Sequence, residues 1–410
     1  MLHSIFCYFI KLLNYLFVKH TNEYLIYPHG NCKNDNYDLL NYSSDNALCL
    51  LRAMLNDDRF TSYKFSVVCY NKNKINDYIK CCEQLKNNNV VFILPKSISF
   101  IYRFFRASCI ITDTPFHAFS YKTKKQKIIC LGYYTPFKDD FGHIKEKTFP
   151  QKKRLFSYYN RQINSHITTS DIASRIIATD FLMIYSNFHS LGFPRNDIFY
   201  NNHVQNICRN NLYEVIQMNP RFIIVYTPTF RDYEHHSNEM RTIFGDVDDC
   251  WMKKLENYLV EVDAIIIAKL HPMQEKGIIK ADEYNRIKLF SDLTSKINIS
   301  LYDILSISDS LITDYTSTSF DYMHLHKPII YYMYDYNRYK ETRGFSLNPI
   351  ESLCGGEIVY TFDDLFNAIK NTLEKDEYCT KREFIHDLVN EHHDGCSTKR
   401  VMDFVYKKEF

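Results

Sequence analysis

The stretch from Asp309 to Tyr322, with the Lys327-Pro328-Ile329-Ile330-Tyr331-Tyr332 run behind it, constrains the fold of this chain more than any other. Ser310-Leu311-Ile312-Thr313 reads as a strand. The four consecutive hydroxyl residues Thr316 to Ser319 open a helix, and the chain resumes as a second buried strand. A strand–helix–strand unit with polar residues at the first strand's C-terminal end is the nucleotide-binding geometry of open α/β sheets. Free backbone N–H groups at a helix start, with hydroxyls beside them, suit phosphate. An ordinary Ser/Thr N-cap would look the same locally, so the segments that accompany this one decide its meaning.

The same alternation runs through the chain. In the first half, short β-branched or apolar runs at Tyr24 to Tyr27, Phe65 to Tyr70, Val90 to Leu94, Cys109 to Thr112 and Ile128 to Leu131 predict strands. A helix is expected from Asn46 to Met54. In the second half, strands are expected at Phe222 to Tyr226, Ala264 to Lys269, Ser310 to Thr313 and Pro328 to Met333. Helices are expected at Asp249 to Val260, Tyr302 to Ile307, Phe320 to His326 and Phe362 to Lys375, with a final helical segment after Lys381. Apolar runs of four to six residues alternating with helical patterns predict parallel sheets. Lys145 to Arg154 reads as a charged connection, and the Asn-rich stretch from Asn196 to Asn210 as a domain boundary. The chain's 410 residues suit two domains. The expected division is 21–200 and 201–385, the second carrying the nucleotide-binding unit, with a helical segment over 386–410.

Charges nearly cancel at +2, so bulk electrostatics offers no case for nucleic acid. Glycine-rich phosphate loops are absent: there are 10 glycines, against 33 tyrosines and 30 phenylalanines. The 13 cysteines show no zinc-ligand spacing and no cleavable signal peptide is visible, which predicts reduced thiols in a cytoplasmic protein. Residues 1–20 are densely apolar, with Lys11 inside and Lys19 after. That is marginal for a spanning helix and better suited to one lying on a membrane, or to a buried helix of the domain.

Four segments sit where strands of the second half should end: Tyr226 to Asp232, Lys269 to Pro272, the Asp314 turn, and Tyr334-Asp335 leading to Arg343-Gly344-Phe345. Ligands of open α/β sheets bind at the strands' carboxyl ends. Convergence of Arg231, Lys269, His271 and Arg343 on an anion-binding turn points to a diphosphate ligand.

These segments, with Leu191 to Asp197 upstream, resemble the CDP-glycerol:poly(glycerophosphate) glycerophosphotransferase family, which primes and extends wall teichoic acid. The matching pieces are Thr227 to Arg231, Lys269-Leu270-His271-Pro272, Asp309 to Tyr322, Lys327 to Ile330, Tyr334-Asp335 and Arg343-Gly344-Phe345. The resemblance implies a GT-B-like α/β fold of two facing Rossmann-like domains with parallel sheets. It implies transfer of a polyol-phosphate unit from a CDP-polyol to a lipid-linked or polymeric surface glycan acceptor, with CMP leaving. The setting it implies is peripheral association with the inner face of the cytoplasmic membrane, and no cofactor is expected. His271 would act on the diphosphate. Tyr133, Thr135, Lys138, Arg195, Thr229, Arg231, Lys269, Asp314, Thr316, Ser317, Thr318 and Arg343 would contact substrate.

One position departs from the family pattern. A Trp-His-Gly histidine is the family's presumed base, and the matching stretch here is Leu131 to Lys138, with Tyr133 at the histidine position. Tyrosine, with a reference pKa of about 10, is a poor base at neutral pH. His29, just after the first strand, is the expected replacement, with His117 and His143 behind it. The string Asp246-Val247-Asp248 is read as a helix N-cap and not as a metal motif, so no metal is expected. Two other functions remain open at this point: a GT-B glycosyltransferase using a nucleotide sugar, and a nucleotide-binding scaffold without catalysis.

Overall fold

Runs such as Ala264-Ile265-Ile266-Ile267-Ala268 can be stable only where both faces of a strand are covered, and a parallel sheet flanked by helices provides that. The computed structural model describes residues 2–28, 45–69, 89–95, 97–114, 121–132, 148–229, 231, 242–270, 275, 284–294, 296–297 and 299–407. They form two compact units. One holds the described chain up to Asp197 together with residues from Asp394 onward; the other holds Ile198–His393.

Among its described residues the first unit carries strands β1 (His20–Tyr27), β2 (Lys64–Val68), β3 (Val90–Ile93), β4 (Ala107–Thr112), β5 (Lys127–Cys130), β6 (Ser165–Thr168) and β7 (Phe188–Ser190). The second carries β8 (Phe222–Thr227), β9 (Ala264–Ala268), β10 (Ile287–Leu289), β11 (Ser310–Thr313), β12 (Ile329–Tyr332) and β13 (Glu357–Val359). The sheet orders are β3-β2-β1-β4-β5-β6-β7 and β10-β9-β8-β11-β12-β13, and the pairings are parallel. Both orders reverse after the first strand, so each sheet has a topological switch point, at β1/β4 and at β8/β11. The fold class is the expected one, α/β with two Rossmann-like parallel-sheet domains.

Alternation sets the layers. Ile223 and Val225 of β8 join one core with Leu212 and Ile304, while Ile224 and Tyr226 join another with Leu255 and Leu259. The helix Asp249–Glu261 starts where Asp248 accepts a hydrogen bond from the Trp251 amide at 3.0 Å. The Asp-x-Asp string therefore supplies a cap, as expected.

Three features depart from the sequence reading. The charged stretch expected as a connection is helical from Phe149 to Gln162, where Lys, Arg and Gln are good helix formers and Pro150 sits in the first turn. Strands β6, β7, β10 and β13 were not expected, being three or four residues long and partly polar. The helix Ser397–Lys407 is not a separate segment: Val401, Met402, Phe404 and Val405 pack into the first unit's core with Leu50 and Leu51. The Leu191–Asp197 motif fastens it. Asp197 accepts from the Ser397 and Thr398 amides at 2.9 and 2.8 Å. Gly192 has φ +80°, and a Cβ there would lie 2.3 Å from the Ser397 hydroxyl, so a side chain would strain the turn and push the helix away.

The N-terminal helix, Leu2–Leu16, is partly built into the first unit, as the buried-helix reading expects. Ile10 and Leu13 pack on the first unit's core. Asn14 is buried, donating to Tyr121 O and to Gln126 Oε1, both at 2.7 Å. Its other side leaves Phe9, Leu12, Tyr15 and Leu16 exposed, with Phe17 and Val18 beyond. No described helix is long and apolar enough to cross a membrane.

Candidate functional site

The motif segments of the second half lie at one edge of one sheet. Thr229 and Arg231 follow β8, Lys269 follows β9, Asp314 to Thr318 follow β11, and Tyr334-Asp335 follow β12. The β8/β11 switch point therefore falls between Thr229 and Asp314. Thr313 donates its hydroxyl to Thr227 O at 2.9 Å, joining the two strand ends.

Above that joint is a buried ionic network. Asp314 accepts from the Thr229 amide at 2.9 and 2.8 Å, from the Thr229 hydroxyl at 2.7 Å, and from Arg231 Nη1. Arg231 Nη1 also donates to Thr229 O. Its Nε and Nη2 reach the two oxygens of Asp335 at 2.9 and 3.0 Å, a bidentate pair. Tyr315 donates its hydroxyl to Asp335 at 3.2 Å, and the guanidinium lies over the Tyr315 and Tyr334 rings. The side chains of Arg231 and Asp314 are essentially inaccessible, at 0% and 1%. Burial opposes the Arg231 charge, but Asp314 and Asp335 outweigh it and hold its pKa well above the usual value. Three residues expected to contact substrate, Thr229, Arg231 and Asp314, are thus spent on one another. They lock the strand ends β8, β11 and β12 together.

What the network leaves toward solvent is more ligand-like. Thr316, Ser317 and Thr318 are half-buried. The Thr316 and Thr318 hydroxyls are 3.2 Å apart, and the Ser317 side chain makes no capping bond to the short helix Thr318–Tyr322. Lys269 Nζ donates to Leu270 O at 2.7 Å, and burial pulls its pKa down, partly offset by Glu275. Arg343 ends the helix Tyr336–Thr342. Phe345 beyond it packs against Tyr315, Tyr336 and Tyr339, with ring centroids 5.3–5.6 Å apart. Tyr334, Tyr336, Asn337, Arg338 and Tyr360 line a cavity of about 670 Å³ at the end of β12.

The remaining motif residues serve the opposite edge of the sheet. Asp309 accepts from the Ile223 amide at 2.9 Å, and Tyr322 accepts from the Ser308 hydroxyl at 3.0 Å.

His29, Tyr133, Thr135, Lys138 and His271, and the secondary choices His117 and His143, lie outside the described residues. The chain leading to two of them is defined. Strand β1 ends at Tyr27, two residues before His29. Gly132 precedes Tyr133 with φ +81°, and a Cβ there would sit 2.6 Å from the Phe193 ring and 2.9 Å from Ile167 O. Only glycine fits.

Arg195 lies beside a cluster that sequence reasoning missed, at the β1/β4 switch point. Asp113 directly follows β4, and Asp45 caps the helix Asn46–Leu55 through the Leu48 amide at 3.2 Å. Both carboxyl groups are buried, and Asp113 accepts from the Ala47 amide at 3.2 and 3.3 Å. Burial, and then the Asp45 carboxyl to which it is hydrogen-bonded, push the Asp113 pKa well above the usual range, with Arg195 opposing. Asn46 bridges outward, donating to Leu131 O at 3.2 Å and accepting from the Arg195 amide at 3.1 Å. The local signals were present: an Asp before an apolar helical run, and an Asp at a strand's carboxyl end.

The family model for CDP-glycerol:poly(glycerophosphate) glycerophosphotransferase matches residues 37–407. The chain belongs to this family. That makes it an enzyme, a transferase of the glycerophosphotransferase type, and carries the resemblance well beyond the second half. A teichoic acid glycerol-phosphate primase of Bacillus subtilis (strain 168) is 27% identical over 316 residues, covering 75% of this chain and 76% of the relative. A teichoic acid ribitol-phosphate primase of Bacillus spizizenii is 31% identical over 242 residues, 58% of each chain. The solved wall teichoic acid polymerase TagF superposes with a TM-score of 0.77 at 20% identity, covering 97% of this chain and 93% of that one. At that identity the match speaks for the fold, and it is the GT-B-like one expected.

Proposed function

We propose that this glycerophosphotransferase moves a polyol-phosphate unit from a CDP-polyol to an acceptor hydroxyl in the synthesis of teichoic acid or a related surface polymer. The observation that carries this reading is the meeting of the family's ordered segments at the carboxyl edge of a single sheet, around the β8/β11 switch point. An acceptor oxygen attacks the β-phosphorus and a new P–O bond forms. The bond to the bridging oxygen breaks, and CMP leaves with the electron pair. Little covalent chemistry falls to the protein, so position and charge dominate.

The Thr316 to Thr318 hydroxyls, Lys269 and His271 hold the diphosphate. Arg231, Asp314 and Asp335 keep the strand ends that present those groups in register. Tyr334, Tyr336 and Tyr360 offer aromatic faces to the cytidine. His29 takes the acceptor proton, since Tyr133 is a weak base. Its relatives include both a glycerol-phosphate and a ribitol-phosphate primase, so both polyols are donors to test.

The exposed row Phe9, Leu12, Tyr15 and Leu16 docks on the membrane that carries a lipid-linked acceptor, helped by Lys11 on the same helix. Purified protein given CDP-glycerol and CDP-ribitol in turn, with a lipid-linked acceptor, should release CMP and build a phosphodiester. A glycoside with free nucleoside diphosphate would instead support the sugar-transfer reading. No turnover of any CDP-polyol would support the scaffold.

A further inference from the structure

Within the second unit, at the end of the helix Cys379–Val389, four histidines gather away from the proposed diphosphate site. The His386 ring centroid lies 4.7 Å from that of His324, 5.0 Å from His326 and 4.2 Å from His393. Asp387 Oδ1 is 3.8 Å from His386 Nδ1 and 3.7 Å from His393 Nδ1. His386, Asp387 and His393 each offer a ligand atom within 4.8 Å of the others.

The outer partners decide where the ring protons are. His393 Nε2 lies 2.6 Å from the Asn390 carbonyl oxygen, which can only accept, so that nitrogen carries the hydrogen. The His393 Nδ1 of a neutral ring is then a bare lone pair. His324 Nδ1 has two neighbours, the Tyr200 hydroxyl at 2.9 Å and His386 Nε2 at 3.0 Å. His386 Nε2 is thus engaged by His324, and Nδ1 is the His386 nitrogen left for a ligand. His386 Nδ1 is fully buried and has no hydrogen-bond partner.

Two ring nitrogens and a carboxylate oxygen therefore converge. A cation placed among them would engage all three. We propose that His386, Asp387 and His393 bind a divalent metal ion of the zinc class, which ties the end of this helix to the turn that follows. Two imidazoles and a carboxylate are donors for zinc or its neighbours, whereas magnesium and calcium require oxygen shells. Metal–ligand bonds of about 2.0–2.2 Å put tetrahedral ligand atoms about 3.4 Å apart. The separations from Asp387, 3.8 and 3.7 Å, need to close by a few tenths of an ångström, and Asp387 and His393 are exposed enough to move. Each imidazole already has its other nitrogen engaged, His393 by Asn390 O and His386 by His324, which is the kind of support metal-binding histidines have. Solvent exposure of Asp387, at 70%, leaves the fourth position to water. The helix dipole also favours a cation at this end.

The site is hidden from linear reading because its donors are two neighbours on a helix and a third beyond the turn. The test uses the full-length chain without a histidine tag, stripped with EDTA, and titrated with zinc ion against a chromophoric chelator. One zinc per chain is expected. His393→Ala and Asp387→Asn, both at exposed positions that should leave the fold intact by circular dichroism, should each weaken binding at least about tenfold. A cobalt-loaded sample should show d–d bands without thiolate charge transfer, which separates this site from the exposed Cys250 and Cys396. Absence of stoichiometric binding, binding unchanged in both variants, or a thiolate band would each overturn the proposal.

Discussion

Replacing Arg231 by alanine should unfold the second unit more readily before it removes any ligand contact. The guanidinium serves Asp335 through two bonds, Asp314 through one and the Thr229 carbonyl through another, all out of contact with water. Without it, two carboxylates exposed 1% and 7% face the interior with their cation gone. Removing one partner of a buried pair costs about 3–5 kcal/mol. Thr229 and Tyr315 still donate to the carboxylates, but neither carries charge. The chain's single tryptophan, Trp251, lies in this unit, 6.0 Å from the rings of Phe362 and Phe366. Its fluorescence therefore reports the unfolding of this unit alone. With a slope of about 2 kcal/mol per molar urea, the tryptophan transition should move down by about 1.5–2.5 M. Adding Asp335→Asn should recover part of that loss, because one stranded charge disappears. Below the transition, CMP affinity of the folded Arg231→Ala protein should fall less than about tenfold. A transition within about 0.3 M of the parent, together with abolished CMP binding, would refute this reasoning: the guanidinium would then be a ligand contact after all.

His271→Ala should lower turnover about 10²–10³-fold with the tryptophan transition unchanged, as expected for loss of a donor to transition-state charge; near-normal turnover would remove it from the mechanism. His29→Ala should lose turnover while CDP-polyol binding persists, and the parent's pH–rate profile should show a basic limb near pH 6–7; if Tyr133→Phe is the inactive variant instead, a tuned tyrosine is the base. Asp113 has a folded pKa raised above its unfolded value of 3.8. Its stabilising proton is therefore fully held below that value and is lost as pH rises through the folded pKa. Asp113→Asn should accordingly gain on the parent in urea melts as pH rises above about 4, by at most about 1.4 kcal/mol per pH unit, and a flat difference would mean the carboxyl is already ionised. Leu12→Glu with Leu16→Glu should release the protein from anionic vesicles in a flotation assay without changing its melt; retention on the vesicles would place membrane contact elsewhere.

What the sequence revealed, and what it hid, follows from the range of each interaction. Strands β8, β9, β11 and β12 were legible because each is a buried run whose neighbours need not be known. Strand β13 holds only Glu357, Ile358 and Val359, and β6 buries Ser165, His166 and Thr168 beside Ile167, so neither makes an apolar run long enough to read as a strand alone. They exist because a formed sheet offers them an edge to pair with. The returning helix Ser397–Lys407 is amphipathic and was expected as a helix, but its home in the first unit depends on Asp197, some 200 residues earlier.

The candidate site divides along the same line. An arginine at a strand end reads from sequence as a free cation awaiting phosphate. Whether its donors are free depends on Asp335, 104 residues further on, and here they are not. Conversely, Asp45 and Asp113 each have an ordinary local reading, a cap and a strand end, and are brought together only through the β1/β4 pairing. Within this site, then, a motif marks where the ligand edge is, while burial decides which motif residues build that edge and which face the ligand. By that criterion the inaccessible Arg231 and Asp314 belong to the scaffold. The half-buried Thr316, Ser317 and Thr318, which the scaffold holds at the switch point, are the residues whose substitution should change affinity without changing the melt.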